Sequence, residues 1–275
     1  MALQCPRCLR QYDVTLFQFG RSVRCDCGAL VDLQKGHVAL VALVSEPTPG
    51  LEFAPQKLPE GLSPTELILV RHAETDANRA SRIQGQLDGP LNEHGRRQAL
   101  DLAERFLDER PAAIYSSDLL RCRETAETIA SELGIPVQET PLLREADFGQ
   151  WEGKTAEEVR EQFPDEYRER QRDPYSFQPP GGESKRQILD RVLPFLRELV
   201  VRHERTKVLV VTHGGPCTVV LHHVLGAPIT ARASFRVDNA SIHRIEVGPL
   251  GWQVVTLNDT CHLKKPEPEQ QEPGG

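Results

Sequence analysis

The sequence predicts an α/β fold with a mostly parallel sheet, and two similar segments indicate it. Residues 67–70 form an unbroken apolar run that leads into Arg71 and His72, and residues 207–212 lead in the same way into His213. Apolar runs of this length, bounded by polar residues, are typical of strands that are buried on both faces. Open α/β sheets bind their ligands at the carboxyl ends of the strands. If the two strands are parallel neighbours, both imidazoles lie at that edge, where we expect the functional site.

Length and composition are those of an ordinary globular chain. A length of 275 residues allows one full α/β domain and one small module. The net charge of −7 and the pI near 5.8 disfavour a general nucleic-acid or membrane-surface binder. The N-terminus has no basic-then-apolar signal pattern, and no apolar run approaches the ~20 residues of a membrane span. Seven cysteines, an odd number, do not suit a disulfide framework, so we expect a cytoplasmic protein.

Residues 1–44 are rich in cysteine and predict a small module of their own. Two cysteine pairs are separated by a 16-residue loop: Cys5 with Cys8, and Cys25 with Cys27. Four such thiolates can close a tetrahedral zinc site, and a segment this small needs a metal to be stable. The pattern resembles a zinc ribbon, although the second pair has CxC rather than CxxC spacing. We therefore expect a zinc-ribbon-like β module with structural zinc on these thiolates; free buried thiols or a redox pair are the alternatives.

The charges of this module disfavour nucleic acid as its partner. Its five basic side chains are balanced by three acidic ones and by the −2 charge of a zinc–tetrathiolate centre. A structural role or a protein partner is therefore expected. Residues 45–64 contain five prolines and two glycines, a density that predicts an extended linker. The main domain is then expected to begin at residue 65.

The first strand ends in a motif that carries a family resemblance. The run Arg71-His72-Ala73-Glu74-Thr75, with Asn78 shortly after it, resembles the RHG-type signature of the histidine phosphatase (phosphoglycerate mutase-like) superfamily. Ala73 stands where glycine is commoner in that family. The resemblance extends over residues 66–262, and it implies a three-layer α/β/α phosphoglycerate mutase-like domain with a mostly parallel sheet at residues 65–262.

The loop after the first strand wraps the phosphate in that family. The resemblance therefore implies that Asn78, Gln84 and Gly85 contact the substrate. After the domain, residues 263–275 consist mainly of Lys, Pro, Glu, Gln and Gly, a composition that predicts a disordered tail.

A third motif opens a helix near residue 120. Asp118 is a candidate N-cap for this helix, which places Arg121 in the first turn, where the helix dipole disfavours a cation. A bound anion would explain this position, and a surface arginine paired with an acidic neighbour is the alternative. The segment resembles the family element SxLxRAxxTA, with Cys122 in place of the usual alanine, and this implies that Arg121 binds the phosphate.

Residues 142–153 carry three acidic side chains in an apolar, aromatic loop. Burial favours the protonated form of a carboxyl group, which can then serve as a general acid. Glu145, Asp147 and Glu152 are all candidates on this argument, and the family pattern LxExxFGxWEG implies Glu145. This loop and a later PGGES turn resemble the α-ribazole phosphatase and broad-specificity phosphatase groups of the family.

The resemblance implies a phosphoryl-transfer site that uses no metal. His72 attacks phosphorus and forms a phosphohistidine, and Glu145 is the general acid and base. The phosphoryl oxygens are surrounded by donors: Arg71, Arg121, His213 and the amide of Gly214. The sequence has neither the glycine-lysine cradle of a P-loop nor an Asp and His cluster for two metals. We therefore expect a small phosphorylated substrate and no catalytic cofactor.

Two alternative functions are compatible with the same motifs. A phosphoglycerate mutase would shield the phosphohistidine from water, but the compact span of the motifs favours the phosphatases. A non-catalytic phospholigand-binding or docking protein would be expected to carry a damaged site, and every motif residue is present.

Overall fold

The computed structural model describes residues 63–229, 235–248 and 251–264, and before them the backbone of five short strands. The chain divides into two units, Met1–Lys57 and Leu58–Gly275. The four cysteines predicted to bind zinc lie outside the described residues, as do residues 45–62 of the predicted linker.

The described strands of the first unit form two small antiparallel sheets. β1 (Ala2–Gln4) pairs with β2 (Gln11–Asp13). The other sheet consists of three strands in the order of the chain: β3 (Ser22–Arg24), β4 (Leu30–Asp32) and β5 (Val38–Ala39). Along the sequence, one predicted cysteine pair falls between β1 and β2 and the other between β3 and β4.

The second unit is built on one six-stranded sheet in the order β11-β10-β6-β9-β7-β8. Strands β6, β9, β7 and β8 are parallel, and the β10–β11 hairpin joins antiparallel to β6 at one edge. The sheet is mixed and mostly parallel, as the sequence predicts. Its strands are β6 (Thr65–Arg71), β7 (Ala113–Ser117), β8 (Val137–Thr140), β9 (Lys207–Thr212), β10 (Ile242–Gly248) and β11 (Gly251–Asp259).

Seven α-helices occur in the described part of this unit, and polar side chains begin several of them. Asn92 accepts a hydrogen bond from the Gly95 N–H at the start of α2, and Ser184 forms a capping box with Gln187 at the start of α6. The helices are α1 (Asp76–Arg79), α2 (Glu93–Phe106), α3 (Leu120–Leu133), α4 (Ala156–Gln162), α5 (Pro164–Arg172), α6 (Lys185–Arg202) and α7 (Gly214–Val224).

The predicted cap of α3 is wrong. The N-cap position is Leu119, which makes no side-chain capping bond. Asp118 instead accepts two hydrogen bonds from Arg144, at 2.7 and 2.6 Å, because a two-point ion pair is a stronger partner for a carboxylate than a single amide. The Leu120 N–H donates to the carboxylate of Asp88, from a loop far away in sequence.

Helices cover both faces of the sheet. Leu67, Leu69, Val208 and Val210 face one apolar cluster, which α6 and α7 complete. Their neighbours Ile68, Val70, Leu209 and Val211 face a second cluster, which α2 and α3 complete. These strand residues are at most 1% exposed, and each buried side chain of this kind stabilises the fold by about 1.5–3 kcal/mol. The expected three-layer α/β/α arrangement follows.

The described chain continues past the predicted domain end at residue 262. Leu263 packs against the second cluster, and the Lys264 ammonium lies 2.7 Å from Glu104 and 3.7 Å from Asp101 on α2. The remaining residues of the predicted tail, 265–275, lie outside the described residues. No helix in the described part of the chain is both long enough and apolar enough to span a bilayer.

Candidate active site

His72 follows the last residue of β6 and lies at the carboxyl edge of the sheet. Its backbone N–H donates to the Thr212 carbonyl at 2.9 Å, and its ring is 3% exposed. Nδ1 lies 2.8 Å from the carbonyl oxygen of Ala73. A carbonyl can only accept, so Nδ1 carries the proton and Nε2 presents a lone pair. This is the tautomer that a nucleophilic imidazole requires.

His213 occupies the equivalent position at the end of the neighbouring strand. β6 and β9 are parallel and pair Arg71 with Thr212, so the two histidines leave the sheet side by side. Their ring centroids are 5.2 Å apart, and His213 is fully buried. Its Nε2 lies 2.8 Å from the Ser117 hydroxyl at the end of β7. The predicted meeting of the two imidazoles at one sheet edge is confirmed.

Burial and positive charge keep both imidazoles neutral. Burial lowers the pKa of His72 far below its ordinary value, and the guanidinium groups of Arg121 and Arg71 lower it further. The pKa of His213 is lowered far below its ordinary value for the same reasons, with burial again the largest cause. His72 is therefore unprotonated at neutral pH and available for attack.

Two arginines beside these rings have no carboxylate partner among the described residues. Arg71 donates from Nη1 to the Val237 carbonyl at 2.6 Å. Arg121 is 1% exposed and donates to the carbonyls of Leu87 and Gly85, at 3.0 and 2.6 Å. The Nε atoms of both arginines are buried without a hydrogen-bond partner in the described part of the chain. Because a buried cation is costly unless it is paired, this arrangement favours a bound anion.

Glu145 is held against the first turn of α7. Its carboxylate accepts the Gly215 N–H, at 3.0 Å to Oε1 and 3.2 Å to Oε2, and Oε1 also accepts the Ala146 N–H at 2.9 Å. A Cβ atom on Gly215 would lie 2.2 Å from Oε1, so only glycine permits this approach. A Cβ on Gly214 would lie 3.6 Å from Arg71 Nε and 3.8 Å from Glu145 Oε2, so both side chains approach Gly214 without forming an ion pair with each other.

The two other acidic candidates accept hydrogen bonds from backbone N–H groups of loops. Asp147 accepts the Gly149 N–H at 2.8 Å. Glu152 accepts the N–H groups of Gln86 and Phe148, at 2.7 and 3.2 Å. Both carboxylates are thus used in shaping loops, whereas Glu145 lies beside the two histidine-bearing strands.

Comparison with known proteins agrees with this geometry. The family model for the histidine phosphatase superfamily (branch 1) matches residues 67–260, most of the chain. The chain belongs to this superfamily. The predicted class of enzyme, a phosphoric monoester hydrolase of the histidine phosphatase type, is confirmed.

Individual relatives are similar over nearly their whole length. Phosphoserine phosphatase 1 of Hydrogenobacter thermophilus is 38% identical over 198 residues, which cover 72% of this chain and 94% of that protein. The metal-independent phosphoserine phosphatase of Arabidopsis thaliana is 38% identical over 202 residues, with coverages of 72% and 83%. A probable phosphoglycerate mutase GpmB of Salmonella paratyphi C is 34% identical over 206 residues, with coverages of 73% and 96%.

A solved structure confirms the fold. The structure of Bacillus stearothermophilus YhfR is 34% identical and superposes with a TM-score of 0.67 over 72% of this chain and 98% of that one. The phosphoglycerate mutase-like α/β fold expected from the motifs is therefore the fold of this histidine phosphatase.

The predicted loop residues of the histidine phosphatase contact other protein groups in this structure. Asn78 forms a capping box with Thr75 on α1, and its Oδ1 is an acceptor. Gln84 Oε1 accepts from the Thr75 hydroxyl at 3.0 Å. The Gly85 carbonyl holds Arg121, and a Cβ on Gly85, whose φ is +58°, would lie 2.0 Å from Glu152 Oε1. Gly85 thus positions Arg121.

Two contributors to the site were missed from the sequence. Gly215 is not among the predicted site residues, although its N–H holds the Glu145 carboxylate. The segment 237–240 before β10 was not predicted to take part, yet it contacts Arg71, His72 and Asn78. The available signal was the polar sequence Asn-Ala-Ser directly before the apolar strand β10. This sequence does not indicate that β10 pairs with β6, the strand that leads to His72.

Proposed function

We propose that the protein hydrolyses a small phosphomonoester through a phosphohistidine on His72, with Glu145 as general acid and base. The observation that carries this proposal is a neutral, buried imidazole with a free Nε2 beside two arginines, Arg121 buried and Arg71 partly buried, whose Nε atoms have no hydrogen-bond partner among the described residues. A nucleophile and a set of fixed cations in one pocket are what transfer of a charged phosphoryl group requires.

In the first step His72 Nε2 attacks phosphorus in line with the leaving oxygen. The N–P bond forms as the P–O bond breaks, and the leaving alkoxide takes a proton from Glu145. The equatorial oxygens are stabilised by donors at the sheet edge: Arg71, Arg121, His213 and the Gly214 N–H. This step leaves a phosphohistidine, the free alcohol and an ionised Glu145.

In the second step a water molecule attacks the same phosphorus. Glu145 takes the proton from this water as the P–N bond breaks, and the bonding pair returns to Nε2. Inorganic phosphate leaves, His72 is neutral again and Glu145 is protonated again. The cycle consumes one water molecule and needs no external acid, base or oxidant.

The arginines provide the positive charge that a metal ion provides in other phosphatases. We therefore propose that catalysis uses no metal, as is stated by name for the Arabidopsis relative. Two relatives are named phosphoserine phosphatases, so phosphoserine is the first natural substrate to try.

The proposal is tested by hydrolysis of an aryl phosphate in excess chelator. We expect turnover by the wild type and none by His72→Ala, with His94→Ala as the matched control, because His94 lies on α2 and contacts Gln98 instead of the site. Labelled phosphate that is trapped on the wild type and absent from His72→Ala identifies the intermediate. Activity of His72→Ala equal to the wild type would refute the mechanism.

Phosphoglycerate mutase activity is the second candidate, because one relative carries that name. A mutase would exchange phosphoryl groups between phosphoglycerates and hydrolyse aryl phosphate slowly. If the wild type neither exchanges nor hydrolyses, the remaining candidate is a non-catalytic phospholigand-binding protein.

For the N-terminal unit we propose a zinc-ribbon-like module that docks a protein partner. The support is the order along the sequence: Cys5 and Cys8 fall between β1 and β2, Cys25 and Cys27 fall between β3 and β4, and each of these strand pairs is antiparallel. We expect one zinc per chain, lost in Cys5→Ser and retained in the control Cys261→Ser, whose thiol is exposed and free. Zinc content equal in both variants would refute this module.

We also propose a cytoplasmic location. Cys122, Cys217 and Cys261 are free thiols in the described part of the chain, which suits a reducing compartment. Fractionation of cells that express the tagged full chain tests this.

A further inference from the structure

Asn239 joins the nucleophile to a residue of the phosphate loop. Its Nδ2 donates to the backbone carbonyl of His72 at 3.1 Å and to Oδ1 of Asn78, also at 3.1 Å. The two acceptors are distant in sequence from Asn239, so the contact is created by the fold. One amide group has two N–H donors, and both are used here.

These contacts determine which way the Asn78 amide faces. The His72 carbonyl can only accept, so the Asn239 atom that meets it is the nitrogen. The Asn78 atom that meets the same nitrogen is therefore the oxygen. The Thr75 N–H, which can only donate, meets the same Asn78 oxygen at 3.2 Å and requires the same assignment.

The nitrogen of the Asn78 amide is left for a ligand. Oδ1 accepts from Asn239 and Thr75, whereas Nδ2 donates no hydrogen bond to the described residues. Asn239 contacts both Asn78 and the backbone carbonyl of His72, so the Asn78 amide lies near the nucleophile. An N–H pair at this place can donate to a phosphoryl oxygen, whereas the opposite orientation would present an oxygen that repels it.

The segment that carries Asn239 is itself held in place. The Asp238 N–H donates to Asn258 Oδ1 at 2.7 Å, and Asn258 Nδ2 donates back to the Asp238 carboxylate at 2.8 Å. The Ala240 N–H is shared between the carbonyls of Arg71 and His72, at 3.1 and 3.2 Å. Asn239 therefore has little freedom to turn.

We propose that Asn239 is a positioning residue that fixes the Asn78 amide with its nitrogen toward the phosphoryl group and so raises the affinity of the site for phosphate. This inference rests on the proposed function, because it assumes a phosphoryl group at His72. Asn239 does not touch the substrate; its effect passes through Asn78.

The test measures binding of inorganic phosphate to the free enzyme and the steady-state constants for an aryl phosphate. Asn239→Ala is expected to weaken phosphate binding about tenfold, the loss of roughly one hydrogen bond to a charged group. KM is expected to rise by a similar factor with kcat nearly unchanged, because the contact is present in both ground and transition states.

A double-mutant cycle separates positioning from general damage. Asn78→Ala alone is expected to weaken phosphate binding about as much as Asn239→Ala, and the double variant no more than either. Asn92→Ala is the matched control, because it removes a helix cap of α2 without contacting His72 or Asn78. It is expected to lower thermal stability and to leave phosphate affinity unchanged.

A second variant keeps the shape of the side chain. Asn239→Asp replaces both N–H donors by an oxygen that faces two acceptors, so phosphate binding is expected to weaken more than in Asn239→Ala. The inference is overturned if both variants bind phosphate as the wild type does, or if the effects of Asn78→Ala and Asn239→Ala multiply. Absence of phosphate binding by the wild type would overturn the proposed function as well.

Discussion

At the scale of single residues, the chemistry depends on which nitrogen of His72 is free. The carbonyl of Ala73 takes the Nδ1 proton, so the lone pair is on Nε2. Burial and the nearby Arg121 and Arg71 oppose protonation of this nitrogen. The cations that would hold the phosphoryl oxygens thus also keep the nucleophile neutral.

The first prediction concerns the acid side of the pH profile. The pKa of His72 is lowered by burial first and by Arg121 second, so the free enzyme retains a neutral nucleophile below pH 6.5. An imidazole of ordinary pKa would lose roughly tenfold in kcat/KM between pH 7 and 5.5. We expect a smaller loss, measured with an aryl phosphate and corrected for ionisation of the substrate.

A companion variant checks the assigned cause of this shift. Removing the positive charge in Arg121→Met is expected to move the acid limb to higher pH, whatever the loss in absolute rate. An acid limb at the ordinary histidine pKa in the wild type would contradict the assigned environment of His72.

The second prediction compares two neighbouring glycines. Gly215→Ala places a Cβ about where Glu145 Oε1 lies, at 2.2 Å, and must displace the carboxylate, whereas the Cβ of Gly214→Ala meets its nearest neighbour at 3.6 Å. Loss of a general acid typically costs about 10²–10⁴ in rate. We expect Gly215→Ala to lose on the order of a hundredfold in kcat on alkyl phosphates and Gly214→Ala at least tenfold less.

The leaving group identifies the step that this displacement affects. An aryl phosphate leaves without much help from an acid, so the initial burst of aryl alcohol, which accompanies formation of the phosphohistidine, is expected to be nearly as fast in Gly215→Ala as in the wild type. The later attack of water also uses Glu145, so steady-state turnover is expected to slow on both kinds of substrate. Equal losses of the first step on alkyl and aryl phosphates would mean that Gly215 acts on something other than Glu145.

At the scale of secondary structure elements, the start of α3 shows how distant contacts replace local ones. Asp118 has the sequence position of an N-cap, but the ion pair with Arg144 takes both of its oxygens. This hydrogen-bonded pairing lowers the pKa of Asp118. The Leu120 N–H is instead served by Asp88.

The third prediction follows from this exchange of partners. Asp118 and Arg144 are 24% and 38% exposed, so their pairing is expected to stabilise the fold by only about 0.5–1 kcal/mol. Asp118→Ala and Arg144→Ala should each lower the free energy of unfolding by a similar amount, and the double variant should lose no more. Urea denaturation measures these free energies of unfolding. Additive losses in the double variant would mean that Asp118 does not act through Arg144, and they would favour Asp118 as the N-cap of α3 instead.

Much of the element scale could be predicted from the sequence. Apolar runs identified β6 and β9 because strands buried on both faces contain few polar residues. The ion pair of Asp118 and the role of Gly215 could not be predicted. Each depends on a segment far away in sequence whose position only the packed fold determines.

At the scale of the whole molecule, the two ends of the sheet differ in whether their arginines are paired with carboxylates. At the amino end, Arg244 contacts the carboxylates of Glu66 and Glu109, and all three side chains are mostly buried. At the carboxyl end, Arg121 is buried and Arg71 is partly buried, and neither forms an ion pair with a carboxylate among the described residues; their Nε atoms also have no hydrogen-bond partner there. Paired charges suit a structural role, and unpaired ones suit an anion site. The functional end of the sheet can therefore be recognised from its electrostatics alone.

The last prediction concerns stability against acid and depends on a histidine outside the site. His243 on β10 is fully buried, accepts the Asn258 N–H on Nδ1 at 3.1 Å and lies 3.0 Å from the Ser241 hydroxyl through Nε2. Burial lowers its pKa to about 4, and only the negative charge of Asp238 opposes this. Protonation of Nδ1 would set two donors against each other, which is why the folded state excludes the proton.

The sign of the effect follows from linkage. In the unfolded chain His243 binds a proton below its ordinary pKa near 6.5, whereas in the folded chain it does so only at about pH 4. The free energy of unfolding therefore falls as the pH falls from about 6.5 to about 4. The contribution amounts to about 2 kcal/mol between pH 7 and pH 5. His243→Asn keeps an acceptor near Asn258 and cannot titrate, so its stability should fall by about that much less between the two pH values. Urea denaturation at both pH values measures the loss of unfolding free energy in each protein. The buried, neutral His72 and His213 leave some pH dependence in both. An equal loss in the wild type and in His243→Asn would show that His243 binds its proton as readily in the folded state as in the unfolded state.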